Sequence, residues 1–460
     1  MVDGQQTRLY GGLATISADN LSAHALAGFR RVFNSGFFCR QCMTSYTNKN
    51  NIFSELDATL RTDEIRQYHL AAIYGQGQIS SSMYGVERRC PFLDLSYFKV
   101  MQSFPPDIMH DMLEGTIPRL ISLLLLKLKE DKLISIDQIN VELNTFEIGR
   151  NDRLNKPVPF VVRSATFINF IGSASQKYCM FRLLPFMIGN RIPMSNKYWL
   201  LYLQLREIAD YVFAPKISKS VLSFLQFLVE QFLHNFAELF PDNFTPKFHF
   251  MLHYARLIND YGPLRYLWCM RFEAKHLYFK KLASSIRNFK NIAYSLAKRH
   301  QLRQCWEMTS SDFFKEYEKT YNLCSILFES LAASFQEKLV SFFGYSITDK
   351  KETIWKCSSL LINGIQFHVH DTVILALLHV EEIPLFFKIY HIIRFRHHWV
   401  FCGKFLICDK YSAHLHAFRV VEEEDLTICL PADVLDHQLI DTYVLQDGCC
   451  YITLRYSCFL

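Results

Sequence analysis

The sequence predicts an α/β protein with a mixed N-terminal portion, a long all-helical middle and a small C-terminal β domain. Three observations carry this reading. Apolar residues recur at three- and four-residue spacing through most of 108–304, the period of a buried helix face. Beyond 350, stretches such as "FFKIYHIIRF", "WVFCGKFLICDK" and "YITLRYSCFL" are short, β-branched and aromatic, and read as strands. Half of the 460 residues are hydrophobic, with 40 Phe and 23 Tyr, enough to bury a large core and too many for a disordered chain.

Taken in order, "RLYGGLATI" reads as a strand ending at Asp19, followed by a helix through Leu21, Ala25, Leu26 and Phe29. Residues 36–100 are loop-rich, with one short helix over about 62–73. Pro105 and Pro106 hold the chain extended before a helix that starts near Ile108, where Asp107 is a good N-cap. Three further helices are carried by "KYWLLYLQLREIADYVF", "SVLSFLQFLVEQFLHNFAELF" and "KFHFMLHYARLINDY". After Gly262-Pro263 comes one long helix with Phe272, Phe279, Leu282, Ile286, Phe289, Ala293 and Leu296 on its inner side. These elements divide the chain into 1–110, a helical block at 111–262, a basic helical segment at 263–349 and a β domain at 350–460.

No apolar run reaches the length of a bilayer span, and the first residues lack a signal-peptide pattern, so a nuclear or cytoplasmic location is expected. The 14 cysteines are scattered, as suits reduced thiols. Net charge is only +6, but ten Lys or Arg and a single acid, Glu273, fall between Arg265 and Arg303. That stretch, with its interleaved aromatic residues, is the candidate nucleic-acid surface, and Lys280, Lys281, Arg287 and Lys290 are its expected phosphate contacts.

Four clusters could carry chemistry. Cys39 and Cys42 in "CRQC" have the two-residue gap of half a zinc site, with His69 and His110 as the expected partners. Two ordinary buried thiols are the alternative. His249 and His253 stand four apart, but the Glu of an HExxH site is missing, and aromatic-like packing is the preferred reading. Asp107, His110, Asp111 and Glu114 crowd the start of a buried helix; capping and the helix dipole explain the acids better than His110. Glu273 is either a surface partner of neighbouring bases or a carboxylate held for a divalent ion.

The ordered set "ADNLSAHALAGF", "FFCRQC", "RTDEIRQYHL", "FPPDIMHDMLEG" and "KFHFMLHYARLINDYGPLRYLWCMRFEAKHLYFKKL" resembles a CACTA-like (EnSpm-type) DNA transposase. The resemblance is to the metazoan transposon-derived branch related to the Kyakuja-Dileera-Zisupton group, over roughly residues 10–305. It implies a partial RNase H-like core with a large helical insertion before its last acid. The carboxylates at such cores hold Mg²⁺ or Mn²⁺ for DNA strand cleavage and joining. Asp19 would supply the second acid and Glu273 the third, while Asp107 and His110 match the family's Asp/Cys-x-x-His element, with a structural Zn²⁺ site alongside.

This chain departs from that pattern. The family's first catalytic Asp lies well upstream of the "ADN" stretch; Asp3 is too close to serve, and Ala18 replaces the usual Gly. The expectation is therefore a transposase remnant, truncated or domesticated and catalytically inactive. DNA is the expected partner, self-association into a homo-oligomer is left open, and no membrane or small-molecule substrate is expected. The rival readings are a non-enzymatic nuclear DNA- or chromatin-binding protein and a protein-interaction scaffold.

Overall fold

The computed structural model describes residues 11–75, 83–164, 167–309, 318–344, 352–378 and 383–458. Asp3 and the first residues of the expected N-terminal strand lie outside them. Residues 11–19 carry no strand; Ile16 N–H instead donates to the Ser103 carbonyl at 2.8 Å. Asp19 is thus no strand-end residue. It is the N-cap of α1 (Asn20–Ala27), accepting from Ser22 N–H at 2.7 Å.

Helix α1 stops at Gly28, which is left-handed at φ 81°. A Cβ there would stand 2.0 Å from the Arg88 carbonyl oxygen. Buried Arg66, from α2 (Asp63–Gly75), donates to the Ala27 carbonyl at 2.6 Å and to that of Arg88 at 3.1 Å. The short helix expected over 62–73 is therefore present. Around it, 28–107 contains loops, helical turns and isolated bridges but no strand among the described residues.

The stretch after Pro105-Pro106 is helical in an unexpected way. Met109–Thr116 is π-helical and runs directly into α3 (Ile117–Glu130). A π segment widens the turn and is commonly found at functional sites. Its buried Met109, Met112 and Leu113 enter one large core with α3, α5 (Ala174–Ile188), α6 (Lys197–Val212) and α7 (Leu222–Leu239), α4 (Ile136–Thr145) lying beside them. Aliphatic residues make up most of that core, with aromatic stacks set among them, as in Phe236–Phe248 with ring centroids 3.9 Å apart.

Two expected single helices are broken. "KFHFMLHYARLINDY" forms α8 (Pro246–Met251) and α9 (Tyr254–Tyr261), with a turn at Leu252–His253. The expected long basic helix is a pair, α10 (Met270–Ile286) and α11 (Ile292–Thr309), parted where Arg287 and Asn291 take positive φ. Its supposed inner face is not buried: Phe272 is 55% and Phe289 68% exposed, and neither helix contributes a buried residue. The two helices hold each other through Tyr278, Phe279 and His300, whose rings lie within 6 Å.

Most of the C-terminal strands form a ten-stranded antiparallel sheet centred on the long strands Ile383–Phe395 and His398–Ser412, while Lys319–Tyr321, Ser359–Ile362 and Ile365–His368 form a separate three-stranded sheet. Pairing slips at Cys402/Gly403, where a Cβ on Gly403 would meet the Lys388 carbonyl at 2.0 Å. Strands occur before the expected boundary at 350: Val161–Ser164 and Phe167–Asn169 pair within the expected helical block, and Lys319–Tyr321 and Cys324–Leu327 follow, with α12 (Ala333–Phe343) after them. The helical and β parts share a core through Ala417, Tyr443, Tyr451 and Tyr456. Buried Asp152 bridges them, held by Arg182 of α5 at 2.6 Å and by Arg455 at 3.3 Å. No helix among the described residues is long and apolar enough to cross a membrane.

Candidate metal centre

The "CRQC" loop is bracketed by short backbone pairings that make it a knuckle. Tyr46 N–H donates to Gly36 O at 2.7 Å, Met43 N–H to Thr59 O at 2.8 Å, and Arg61 N–H to Gln41 O at 2.9 Å. Arg61 Nε donates to the carbonyls of both Cys39 and Cys42, at 3.0 and 3.1 Å. Gln41 N–H points at Cys39 Sγ, 3.3 Å away. Both thiols therefore face inward.

They face His249 and His253. Cys39 Sγ lies 3.5 Å from His253 Nε2, and Cys42 Sγ 3.2 Å from His249 Nε2. One ligand atom from each of the four residues lies within 4.8 Å of all the others, and all four residues are buried. His249 comes from α8 and His253 from the turn that leads into α9, and the two side chains address one point. Sulfur and nitrogen ligands of a tetrahedral zinc stand about 3.6 Å apart for bond lengths of roughly 2.3 and 2.05 Å, close to the spacings found.

The surroundings suit a metal. Glu55 Oε1 accepts from His253 Nδ1 at 2.6 Å and from Arg256 Nε at 2.9 Å, which leaves His253 Nε2 to face the thiols. Burial disfavours the charged form of His253, but Cys39 and Glu55 outweigh it and raise its pKa. The Cys42 thiol is lowered to about 7, chiefly by its hydrogen bond with Cys39, with Thr44 helping against burial. His249 is lowered by burial, and its Nδ1 has no hydrogen-bond partner among the described residues. A neutral imidazole beside a thiol that ionises near pH 7 is the donor chemistry zinc takes. Buried Cys39, Cys42, His249 and His253 are thus compatible with Zn²⁺.

This corrects the expected ligand set. His69 is not at the site; it stacks on Tyr84 with ring centroids 4.2 Å apart. His110 is also elsewhere, in a second cluster. There Asp107 Oδ2 accepts from His110 Nδ1 at 2.5 Å, and His110 Nε2 faces Glu273 Oε1 at 3.3 Å. Asp107 Oδ1 accepts from Met109 N–H at 3.2 Å and Cys269 N–H at 3.0 Å. Asp107 is fully engaged, so its carboxyl stays below the ordinary range despite burial. His110 is raised, first by its bond to Asp107. The Cys269 thiol is pushed far up by burial and by the negative field of Asp107, Asp19 and Glu273.

The remaining residues of the knuckle tie the two clusters together. Arg40 donates to Asn20 Oδ1 at 2.7 Å and to the Pro105 carbonyl at 3.0 Å. Asn20 in turn donates to Asp111 at 2.6 Å, and Tyr254 OH to the other Asp111 oxygen at 3.2 Å. Asp111 is entirely buried, which raises its pKa to about 6. From the histidine side, Lys247 of α8 donates to the carbonyls of His110 and Glu114. Cys39–Cys42 thus orients α1 with Asp19, while the helices carrying His249 and His253 hold the π segment with Asp107 and His110.

The expected phosphate contacts Lys280, Lys281, Arg287 and Lys290 are all exposed on the α10–α11 pair or the loop between its helices. Phe289, Tyr294 and Trp306 are exposed beside them. No protein-family model matches this sequence, and a comparison with curated proteins finds no match.

Proposed function

We propose that this protein is a transposase-derived DNA-binding protein, held by a structural zinc site and built on the remains of a DNA strand-cleaving and -joining core. The observation that supports the reading is the contact of Glu273 with the Asp107–His110 pair, His110 Nδ1 bonding to Asp107 and His110 Nε2 facing Glu273 at 3.3 Å. The resemblance makes Glu273 the last acid of the ancestral core and Asp107–His110 an element beside that core, and they are far apart in sequence.

The ancestral Mg²⁺ or Mn²⁺ does not fit the residues now present. Magnesium takes oxygen ligands in near-octahedral geometry. Here Asp19 is committed to capping α1, and Asp107 already accepts three hydrogen bonds. Glu273 is paired with an imidazole, and the nearest further donor is a thiol. Catalytic silence follows, so no chemical step is assigned. What remains is binding, through the exposed basic α10–α11 pair, whose cations neutralise phosphates whatever the base sequence.

The test uses the full chain and labelled duplex DNA across a salt series. Replacing Lys280, Lys281, Arg287 and Lys290 by Ala should weaken binding and reduce the salt slope by roughly 0.9 for each phosphate left without its cation. Unchanged affinity and slope would overturn the assignment. Cutting of DNA with Mg²⁺ or Mn²⁺ that Asp19→Ala and Glu273→Ala both abolish would overturn catalytic silence.

A further inference from the structure

We infer that the cleft between α6 and the β part is a binding site for a small organic cation, an ammonium compound with an apolar body that is anchored on Glu207. Leu203, Glu207 and Tyr211, four apart on one face of α6, line one wall. Tyr411 from the strand His398–Ser412, His416 from the turn after it and Phe418 line the other. The cleft holds about 820 Å³, the size of a small-molecule pocket. It lies where the helical and β parts meet, a usual place for such pockets.

The far wall is fixed by bonds within the protein. His416 Nε2 donates to Asp210 Oδ2 at 2.7 Å, and its Nδ1 faces Tyr411 OH at 3.0 Å. With the first nitrogen donating, the second accepts from the phenol, so the Tyr411 ring is held in place. Tyr411 also packs on Phe418, with ring centroids 5.0 Å apart. The acids of the wall other than Glu207 have counter-ions. Buried Arg206 Nη2 stands 3.7 Å from Asp210 Oδ1, and Arg419 Nη2 stands 2.6 Å from Asp409 Oδ2. Lys410, the one Lys or Arg among the described residues of the wall, is exposed.

Glu207 is different. It is half-buried and makes no hydrogen bond or ion pair among the described residues. Burial, with the charge of Asp210 adding to it and His416 opposing, raises its carboxyl above the ordinary range. Neither of its oxygens is sealed off from solvent, so a ligand can reach them. An unpaired carboxylate in a largely apolar cleft is costly, and a cation carried in by a ligand removes that cost. The aromatic faces favour the same charge, because ring quadrupoles attract an ammonium group while the rings cover its apolar body. A neutral ligand would leave Glu207 desolvated and unpaired, and an anion would meet its charge. No covalent bond is made or broken. The site uses neither the zinc ligands nor the basic helix pair, so it stands separately from the DNA-binding reading.

The experiment is ligand-observed NMR titration of the full chain with three ammonium compounds, phenethylamine, tryptamine and cyclohexylmethylamine, each beside the alcohol that replaces its amine with a hydroxyl. At least one amine should bind with a dissociation constant of about 1 mM or tighter, and about tenfold or more tighter than its alcohol. Glu207→Gln should bring amine and alcohol to within about twofold of each other. The same variant should keep or raise the melting temperature, because the carboxylate serves a ligand and not the fold. Binding of no amine at about 5 mM, equal binding of amine and alcohol, or a preference for the amine that survives Glu207→Gln would each overturn the assignment.

Discussion

Cys39 and His253, 214 residues apart in the chain, meet through Sγ and Nε2 at 3.5 Å. With Cys42 and His249 they tie the loop-rich N-terminal portion to the end of the helical block. The first prediction concerns that tie. Cys42→Ser should remove one equivalent of zinc and lower the melting temperature. Amide exchange should then rise in 36–61 and 246–261, while the strands Ile383–Phe395 and His398–Ser412 keep their protection. Unaltered zinc content in that variant would show that the four residues pack together without an ion.

Half of this site is legible in the sequence. The two-residue gap of Cys39 and Cys42 signals a knuckle wherever it occurs, because the geometry is local. His249 and His253 have the right four-residue spacing but lie in an apolar stretch with no Glu between them, and packing is the simpler reading. No spacing rule links two halves of a site across 207 residues, so nothing local selects them over His69 and His110. The same limit explains the basic segment. Its three- and four-residue apolar pattern promises a buried face, but only tertiary packing decides burial, and Phe272, Phe289, Tyr294 and Trp306 of this segment are exposed. The β-branched and aromatic signals after 350 are a sound guide because a self-paired antiparallel sheet is specified by neighbouring strands.

Asp19 offers a separable test of capping and charge. Asn caps a helix as well as Asp does, whereas Ala does not. Asp19→Asn should leave stability within about 0.5 kcal/mol of the parent, and Asp19→Ala should lose about 1 kcal/mol, read from urea midpoints. An equal loss in both variants would mean that the negative charge near Cys269, rather than the cap on Ser22, is what the fold needs.

Gly28 should tolerate no side chain. Its φ of 81° is costly for Ala, and a Cβ would stand 2.0 Å from the Arg88 carbonyl and 2.8 Å from Arg66 Nη2. Gly28→Ala should destabilise by about 2–4 kcal/mol, because the segment carrying Arg88 must move and its bonds to Arg66 are strained. A loss below about 1 kcal/mol in chemical denaturation would show that this segment is not packed against α1.

The joint between helical and β parts carries a pH signature. Asp441 accepts from Asn151 N–H at 3.1 Å and from Asn151 Nδ2 at 3.2 Å, with Asp152 and Asp371 also acting on it and Arg455 opposing them. Burial, then the charge of Asp152, raises its pKa from 3.8 to about 6. The folded chain therefore holds this proton where the unfolded chain has lost it. Between about pH 4 and 6 the native state binds more protons, so this group's contribution to stability falls as pH rises. Below about pH 4 both states are protonated and the penalty vanishes; above about 6 it is fully present. A shift of about two units corresponds to about 3 kcal/mol, and partial solvent access reduces the effect to roughly 1–2 kcal/mol. Neighbouring Asp152 titrates in the opposite sense, its carboxyl held low by Arg182 and Arg455 against burial, and its contribution is lost at more acid pH. Asp441→Asn removes the charge and keeps an acceptor for Asn151. It should match the parent near pH 4, exceed it by roughly 1–2 kcal/mol at about pH 7, and flatten the decline between them. Equal stability at neutral pH, measured by denaturant unfolding across pH, would mean that the carboxylate is already fully compensated at the joint.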